Sequence, residues 1–593
     1  MSASPIRQLA SDTAIYGLST LLARFINYLL VPFYTNVFDP AEYGVISLIY
    51  AAFVFLNILY TYGMESSYLR YAAGEEGEGE RRVFSTAFWS LLLTAFAFSL
   101  GLLVAADPVA QYLGLGGEYG GLVYWMALIL LLDTTAVVPM AALRLKRRSW
   151  TYAGLRTGNV LLHVALNLVL ILGLGYGIEA VLVSNAIASL ALTLAAVGVT
   201  RRWLRLSFDP LLWKHMLRFG LPFVPTGLGY AISESIDRLF LAHMPPEAAA
   251  RLYGPHVTPT DVVGIYTACY KLGVFMLLYV QMFRFAWQPF FLEHGRRPEA
   301  PDLFARTFTL FTAVGALLFL AVSFFAHDLV RIGISIGGRK RYLIDPAYWD
   351  GLFIVPLILL AYLAQGWYVH ASAGVFLHNR TGDLPWITLL GAGITLLGNA
   401  WGVPRYGMAA SAWTTLISYV AMAMALIWRA QRYYPIPYAW RDLLGIALVS
   451  AGLYGLVLWL QPSGPVRLVL LLFGGVVFIA RRWLPGKRKL SMRLPGVLVC
   501  FALILSGCMG SRQVWVGALE VTGHEPFTEL TLVTDDGARY LLRLSEADRR
   551  LLQARIPIRV QIRGRLQEGD WYGQKRDWIQ VRSWKIITSQ EEG

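Results

Sequence analysis

Fourteen stretches of predominantly apolar residues run through the first 482 positions, separated by short polar or charged connections. They fall near 13–35, 43–64, 84–106, 120–142, 152–173 and 178–199, then near 219–243, 262–286, 304–327, 351–376, 385–403, 408–428, 441–460 and 465–482. Some 20 apolar residues at about 1.5 Å rise each cross a hydrocarbon core of about 30 Å, so every stretch predicts a membrane helix. Beyond residue 508 the period changes. Segments 514–521, 530–534 and 540–544 alternate as strands do, 545–555 reads as a helix opened by a Ser N-cap, and 558–566 and 578–587 alternate again. Asp536-Gly537 marks a tight turn. Three strands, a helix and two strands is the order of a small β-barrel of the OB-like type, a scaffold that by itself assigns no function.

Composition agrees with a bilayer protein: 56% of residues are apolar and 15% charged, with a mean hydropathy of +0.52, which excludes a soluble enzyme. The net charge of +14 is explained by its placement. Arg70, Arg81 and Arg82, then Arg144, Lys146, Arg147 and Arg148, then Arg201, Arg202, Arg205, Lys214 and Arg218, then Arg296 and Arg297, then Arg429 and Arg432 occupy alternate connections. The opposite connections 36–42, 107–119 and 174–177 carry no Lys or Arg. The positive-inside rule therefore puts the N-terminus and the end of the fourteenth stretch in the cytoplasm. Arg251, Arg331 and Arg405 are single exceptions, and Arg339, Lys340 and Arg341 form an outward cluster that is either solvated or meets an anionic lipid or substrate. The three cysteines, Cys269, Cys500 and Cys508, are too scattered for a disulfide framework or a metal site.

A basic stretch, Arg481, Arg482, Lys487, Arg488, Lys489 and Arg493, precedes a short apolar run over 494–505 and the sequence Leu505-Ser506-Gly507-Cys508. This resembles an embedded bacterial lipoprotein signal, whose lipobox cysteine is lipidated after cleavage. The alternative is a fifteenth membrane helix. Either way the segment enters with its positive flank inside and carries 509–593 outward, which argues against nucleic acid as a partner. Charged residues rise to about 29% of that tail, as a separate soluble domain requires.

The membrane region repeats itself. Asp39-Pro40-Ala41-Glu42-Tyr43-Gly44-Val45 opens the second stretch and Thr258-Pro259-Thr260-Asp261-Val262-Val263-Gly264-Ile265 opens the eighth, with Pro, an acid and Gly in the same order. Asn167 followed by Tyr176-Gly177-Ile178-Glu179-Ala180 is echoed by Asn399 followed by Tyr406-Gly407-Met408-Ala409-Ala410. Repeated bundles of equal span number suggest alternating access, with a substrate site between the halves. The expected architecture is an all-α polytopic membrane protein of 14 transmembrane helices, two pseudo-symmetric six-helix lobes plus two, followed by the small β-barrel. The boundaries are 1–200 for the N-lobe (spans 1–6), 201–430 for the C-lobe (spans 7–12), 431–485 for spans 13–14, 486–508 for the basic linker and signal-like segment, and 509–593 for an extracytoplasmic OB-like domain.

Over about residues 7–485 the chain resembles the polysaccharide and O-antigen flippases of the multidrug/oligosaccharidyl-lipid/polysaccharide exporter superfamily. The resemblance rests on Thr13-Ala14-Ile15-Tyr16-Gly17, Leu30-Val31-Pro32-Phe33-Tyr34-Thr35, Glu42-Tyr43-Gly44, Ile236-Asp237-Arg238, Gly264-Ile265-Tyr266 and Tyr270-Lys271-Leu272. It implies a multi-pass protein of the bacterial inner membrane that moves undecaprenyl-diphosphate-linked oligosaccharide between leaflets without covalent chemistry. Lipid-linked oligosaccharide, membrane lipids and other polysaccharide assembly proteins are the implied partners. The outward tail departs from the usual family pattern.

A diphosphate cannot cross hydrocarbon unpaired, so such a flippase needs intramembrane cations. Arg24 is the first candidate, because an Arg at a helix centre costs about 2.5–3.5 kcal/mol on insertion scales and its donor fork suits phosphate. Lys271 and Arg284 follow, with structural pairing or snorkelling as the alternative. Glu234, Asp237 and Asp133 are candidates for proton or sodium coupling. Glu234 and Arg238, four residues apart, are expected to pair, whereas the adjacent Asp237 and Arg238 point about 100° apart on a helix and need not. Pro222 and Pro225 are expected to bend the seventh span. Asn27, Gln281 and Gln365 are the sugar-facing candidates; Asn159, His163 and Asn167 are further polar groups within spans, for all of which interhelical hydrogen bonding is the competing role. Trp287, Trp367 and Tyr368 suit either an interfacial belt or a sugar ring. No phosphate-binding loop for a nucleotide occurs, and neither a cofactor nor a metal is expected. Two other functions compete: an organic-cation exporter of the same superfamily, expected to show an acidic, aromatic cavity, and a polytopic glycosyltransferase or polymerase. The enzyme needs a catalytic cluster, and the outward loop near 327–350, with Asp328, Asp345 and Asp350, offers no base and nucleophile arrangement.

Overall fold

The computed structural model describes residues 30–115, 119–336 and 339–483, with Ile26 and Tyr28, and most of 513–586. Arg24, Asn27, most of the first predicted span, the basic linker and the lipobox with Cys508 lie outside the described residues. The chain forms two units, Met1–Leu484 and Pro485–Gly593.

In the first unit, eleven helices among the described residues are long and apolar enough to cross a membrane. Helices also occupy the seventh and fourteenth predicted stretches. Phe223–Ala242 carries Glu234, Asp237 and Arg238 and is thereby too charged to count as an apolar span, while Gly464–Phe478, within Gly464–Trp483, is a shorter apolar helix among the described residues. The eighth stretch is one long rod, Pro259–Tyr270 and Val274–His294, joined by a tight 3-10 turn over Lys271–Gly273. A mid-helix turn of that kind re-aims a side chain within an otherwise continuous span. Pro222 and Pro225 interrupt the first turns of the seventh predicted stretch: the chain breaks between Pro210–Gly220 and Phe223–Ala242, and both prolines sit at the start of the second helix, where a missing N–H costs nothing. Asp209 caps the linking helix, accepting from the Leu212 and Leu211 N–H groups; these bonds and the Arg82 guanidinium hold its carboxyl below the usual carboxylate range.

The sequence repeat has a structural cause. Helix Pro40–Thr61 opens with a capping box in which Asp39 accepts from the Glu42 N–H at 2.8 Å and Glu42 accepts from the Asp39 N–H at 3.1 Å. Thr258 and Asp261 build the same box on Pro259–Tyr270 at 3.2 and 2.8 Å, with Pro again in the first turn. Each glycine of the repeat then touches the other helix. A Cβ on Gly44 would overlap the Thr260 carbonyl, and one on Gly264 would overlap the Pro40 carbonyl. The two helices thus cross backbone to backbone at their capped ends, a close approach that only small residues permit. The asparagines are equivalent as well: Asn167 donates to His163 O at 2.9 Å and accepts from the Tyr34 hydroxyl at 3.0 Å, and Asn399 donates to Thr395 O at 2.8 Å and accepts from the Ser411 hydroxyl at 2.7 Å.

The same capped end carries a strap between the halves. Strands β1 (Gly333–Ile336) and β2 (Arg339–Tyr342) form an antiparallel hairpin. Asn36 donates to Tyr342 O and accepts from the Tyr342 N–H at 2.7 and 3.1 Å, and Arg341 donates to Asn36 O at 2.8 Å. The Tyr348 hydroxyl reaches Phe38 O at 2.8 Å. Arg341, a member of the 339–341 basic cluster, thus binds backbone of the turn at Asn36.

The second unit contains β3 (Gln513–Thr522), β4 (Glu529–Thr534), β5 (Arg539–Arg543), β6 (Arg559–Trp571) and β7 (Gln574–Ile586). The order β3-β4-β5-β7-β6 returns to β3, with β5 and β7 parallel and every other pair antiparallel. The β6–β7 hairpin extends to Trp571 and Gln574, beyond the predicted strand limits, and most of the predicted 545–555 helix lies outside the described residues. Alternating Leu530 and Leu532, and Val560 and Ile562, point to one core with Leu519, Leu552 and Ile579. Ile562→Ala is expected to cost this unit about 2–5 kcal/mol, measured as faster proteolysis of 513–586 in the full chain with the membrane region intact.

Candidate functional site

A cavity of about 440 Å³ lies between the two halves of the first unit. Its C-lobe wall is built by Phe223–Ala242, by the Pro259–Tyr270 helix with the following turn, and by Tyr362. Arg238 and Glu234 both face it, but they do not share a side-chain bond as expected. The guanidinium folds back, donating to Asp237 Oδ1 at 2.7 Å and to the Glu234 main-chain oxygen at 2.5 Å, and lies 4.2 Å over the Tyr270 ring. Asp237 is completed by the Tyr266 hydroxyl at 2.6 Å. The Glu234 carboxylate is left to two hydroxyls from other helices, Tyr362 at 3.1 Å and Tyr419. Phenol donors supplied by tertiary packing thus replace the i,i+4 partner, and Arg238 finds its acid next door because its long stem can curl past the helix surface.

Lys271 differs from Arg238. It projects from the 3-10 turn onto the cavity, with Nζ 5.5 Å over the Tyr28 ring, and no carboxylate lies within ion-pair distance of it among the described residues. Among the described residues it is the predicted cation that the fold brings to the cavity without a fixed counterion. Arg284 is exposed on the same rod and does not line the cavity. Gln281 is half-buried outside the lining, and Gln365 likewise, with a buried Oε1 that has no partner among the described residues. Asp133 is held inside the N-lobe by the Ser189 hydroxyl near Arg156. Asp237 stands behind Arg238. Trp287 is neither in a belt nor on the cavity: it is 2% exposed, stacked 4.4 Å from His370 in the C-lobe core. Trp367 donates to Thr312 Oγ1 at 3.1 Å, away from this cavity.

The N-lobe wall contains residues that sequence reasoning passed over or ranked low. Ser47 and Tyr50 come from Pro40–Thr61, Asn159 and His163 from Ser149–Leu168, and Asn185 from Glu179–Thr200. An asparagine inside an otherwise apolar span was the available signal for Asn185. Tyr270 was marked by its place beside Lys271; Tyr362 and Tyr419 carried no local mark. The site as a whole can hold an anion at Lys271 and a polar neutral group opposite, with an acid and its tyrosines between.

The sequence profile of the family described as "Polysaccharide biosynthesis protein" matches residues 9–294. No curated protein matches the chain. Among solved structures, the lipid II flippase MurJ in an inward closed conformation is similar over 78% of this chain and 98% of its own, at 12% identity and a TM-score of 0.61. A multidrug resistance MATE family transporter of the MOP superfamily, in an inward-facing conformation, is similar over 71% of this chain and 97% of its own, at 14% identity and a TM-score of 0.55. At these identities the likeness is one of fold.

Proposed function

We propose, from the match of residues 9–294 to the profile described as polysaccharide biosynthesis protein, that this multi-pass membrane protein is a flippase for undecaprenyl-diphosphate-linked oligosaccharide, working by alternating access from the inner to the outer leaflet of the bacterial inner membrane. The observation that carries the reading is Lys271, a cation without a fixed counterion among the described residues, on a cavity between the halves. In hydrocarbon surroundings such a charge favours a mobile anion, and a diphosphate supplies one. Arg24 is the second proposed clamp residue; Arg284, outside the lining, is not part of it. Glu234, the one carboxylate among the described lining residues of the cavity, is the proposed coupling acid in preference to Asp237 and Asp133, which do not line it.

In this reading the chain carries fourteen spans with the lobe boundaries 1–200, 201–430 and 431–485. The capped end with its strap is the outward side, closed while the cavity awaits substrate from the cytoplasm. Residues 509–593 form an OB-like extracytoplasmic domain, following a segment, 486–508, that lipidates at Cys508. Lys271→Met removes one charge-assisted hydrogen bond, about 1.5–3 kcal/mol, so lipid-linked oligosaccharide transfer in proteoliposomes is expected to fall about 10- to 100-fold. A second reading, an organic-cation exporter, is favoured by the Glu234 carboxylate among tyrosines. Transport of organic cations by the wild type, lost in Glu234→Gln and kept in Lys271→Met, would establish it instead.

A further inference from the structure

The helix Pro210–Gly220, which links the sixth and seventh predicted spans, presents two different rows of side chains. Trp213, Leu217 and Leu221 recur every four positions and so share a face. They wall an apolar groove of about 690 Å³ whose other sides come from helices Pro40–Thr61 and Glu78–Val104. Leu59, Phe98 and Leu221 remain exposed along it, so the groove opens outward from the bundle. Its polar groups are already used. The Trp213 indole N–H donates to Ser90 Oγ at 2.7 Å, the Tyr62 hydroxyl lies 2.6 Å from the same oxygen, Thr94 donates to Ser90 O at 2.8 Å, and the Tyr60 hydroxyl lies 3.2 Å from Ser99 Oγ. What remains is hydrocarbon surface. Along Glu78–Val104 it runs from Thr94 to Ala105, about 16 Å at a rise of about 1.5 Å per residue, which is the depth of one leaflet in a core of about 30 Å.

The neighbouring row on the linking helix is basic. Lys214 and Arg218 each follow a groove residue by one position, lie four residues apart and are exposed. Neither pairs with a carboxylate among the described residues, and the nearest acid in sequence, Asp209, caps the helix and is taken by Arg82. Arg70, also exposed, lies 4.3 Å over the Phe219 ring. Just upstream, Leu206 and Leu211 are 93% and 65% exposed within a stretch that carries Arg201, Arg202 and Arg205. Exposed leucines among arginines are the composition of a segment at the headgroup boundary. The positive-inside rule accounts for cations in this connection, but not for an apolar groove of leaflet depth one side-chain row away from them.

We propose that the linking helix and its groove bind one anionic phospholipid, with an acyl chain in the groove and the phosphate on Lys214 and Arg218. The cations supply charge-assisted hydrogen bonds to the phosphate, and the groove buries the chain against Leu217, Phe98 and Leu59. An undecaprenyl chain is far longer than the groove, so the occupant is a phospholipid and not the substrate. The lipid anchors the helix that joins the sixth predicted span to the seventh. None of the groove residues lines the cavity at Lys271, so the assignment is independent of the flippase reading.

The test titrates the full chain in detergent with phosphatidylglycerol, or with phosphatidylcholine of the same acyl chains, and counts bound lipid by native mass spectrometry. The wild type is expected to prefer phosphatidylglycerol. Each cation beside an anionic headgroup is worth about a 5-fold change in affinity, so Lys214→Gln with Arg218→Gln is expected to weaken phosphatidylglycerol binding about 10- to 30-fold while phosphatidylcholine changes little. A Cβ on Gly101, which lines the groove, meets nothing within 4 Å. Gly101→Leu therefore fills the groove without a clash and is expected to weaken both lipids about 10-fold. A wild type that does not distinguish the two lipids, or a double variant that binds phosphatidylglycerol as the wild type does, overturns the proposal. So does unchanged binding in Gly101→Leu, which would leave only a surface charge effect. Equimolar undecaprenyl diphosphate is expected to leave bound phosphatidylglycerol in place; its displacement in Lys271→Met, where the cavity cation is removed, overturns the phospholipid assignment in favour of substrate.

Discussion

Gly264→Ala is expected to abolish closure at the capped end and with it transport. The new Cβ would overlap the Pro40 carbonyl oxygen and lie 2.8 Å from its carbon and 3.0 Å from the Gly44 nitrogen. All three are backbone atoms at the start of a capped helix, so no side chain can rotate away. The helices must separate, and overpacking of this kind costs about 1–3 kcal/mol where the structure can yield. Here yielding means losing the Gly44 approach to Thr260 and loosening the strap in which Asn36 meets Tyr342. Spin labels at Val37 and Lys340, on opposite halves, should report a longer and broader distance in the variant. Gly44→Ala should act alike, and the double variant should cost less than the sum, because one separation relieves both overlaps. An unchanged distance with lost transport would place the role of these glycines elsewhere.

Asp237→Ala is expected to be the most destabilising single change near the cavity. Asp237 is 3% and Arg238 8% exposed, so removing the carboxylate leaves a buried guanidinium, among the described residues, with a main-chain oxygen and the Tyr266 and Tyr270 rings, and leaves the Tyr266 hydroxyl without its acceptor. Breaking a buried pair in this way costs about 3–5 kcal/mol, visible as a lower unfolding temperature in detergent. The double replacement Asp237→Leu with Arg238→Met should recover most of that loss, since exchanging a buried pair for apolar side chains of similar volume is close to neutral. Recovery of stability without recovery of transport would give the pair a part in transport as well as in folding; failure to recover stability would show that Tyr266 depends on the acid more than Arg238 does.

Local signals in the chain reached far. The Pro, acid and Gly of the two repeats were visible as letters, and each letter has a local cause: Pro in a first helical turn, an acid closing a capping box, a glycine where two backbones meet. Lys271 stands out in the sequence because a cation in an apolar span is costly wherever it points. The eighth span read as one helix, however, and its 3-10 turn at Lys271 left no mark in hydropathy. The partner of Glu234 was misjudged for a related reason. Spacing along a helix identifies neighbours on that helix, whereas Tyr362 and Tyr419 arrive from residues more than a hundred positions away. Gln281, Gln365 and Arg284 are polar residues within spans, but the rotation of their helices leaves them off the cavity lining.

By itself the sequence determined that the chain carries a series of helices apolar and long enough to cross a membrane, that two of them open with the same capping box, and that an alternating-strand unit follows. These depend on transfer free energy and backbone capping, which are properties of a residue and its near neighbours. The tertiary structure decided which polar side chains face the cavity, which carboxylate neutralises Arg238, and that a neutral wall stands opposite a charged one. Those outcomes depend on how each helix is rotated and paired, and rotation is set by packing against helices distant in the chain.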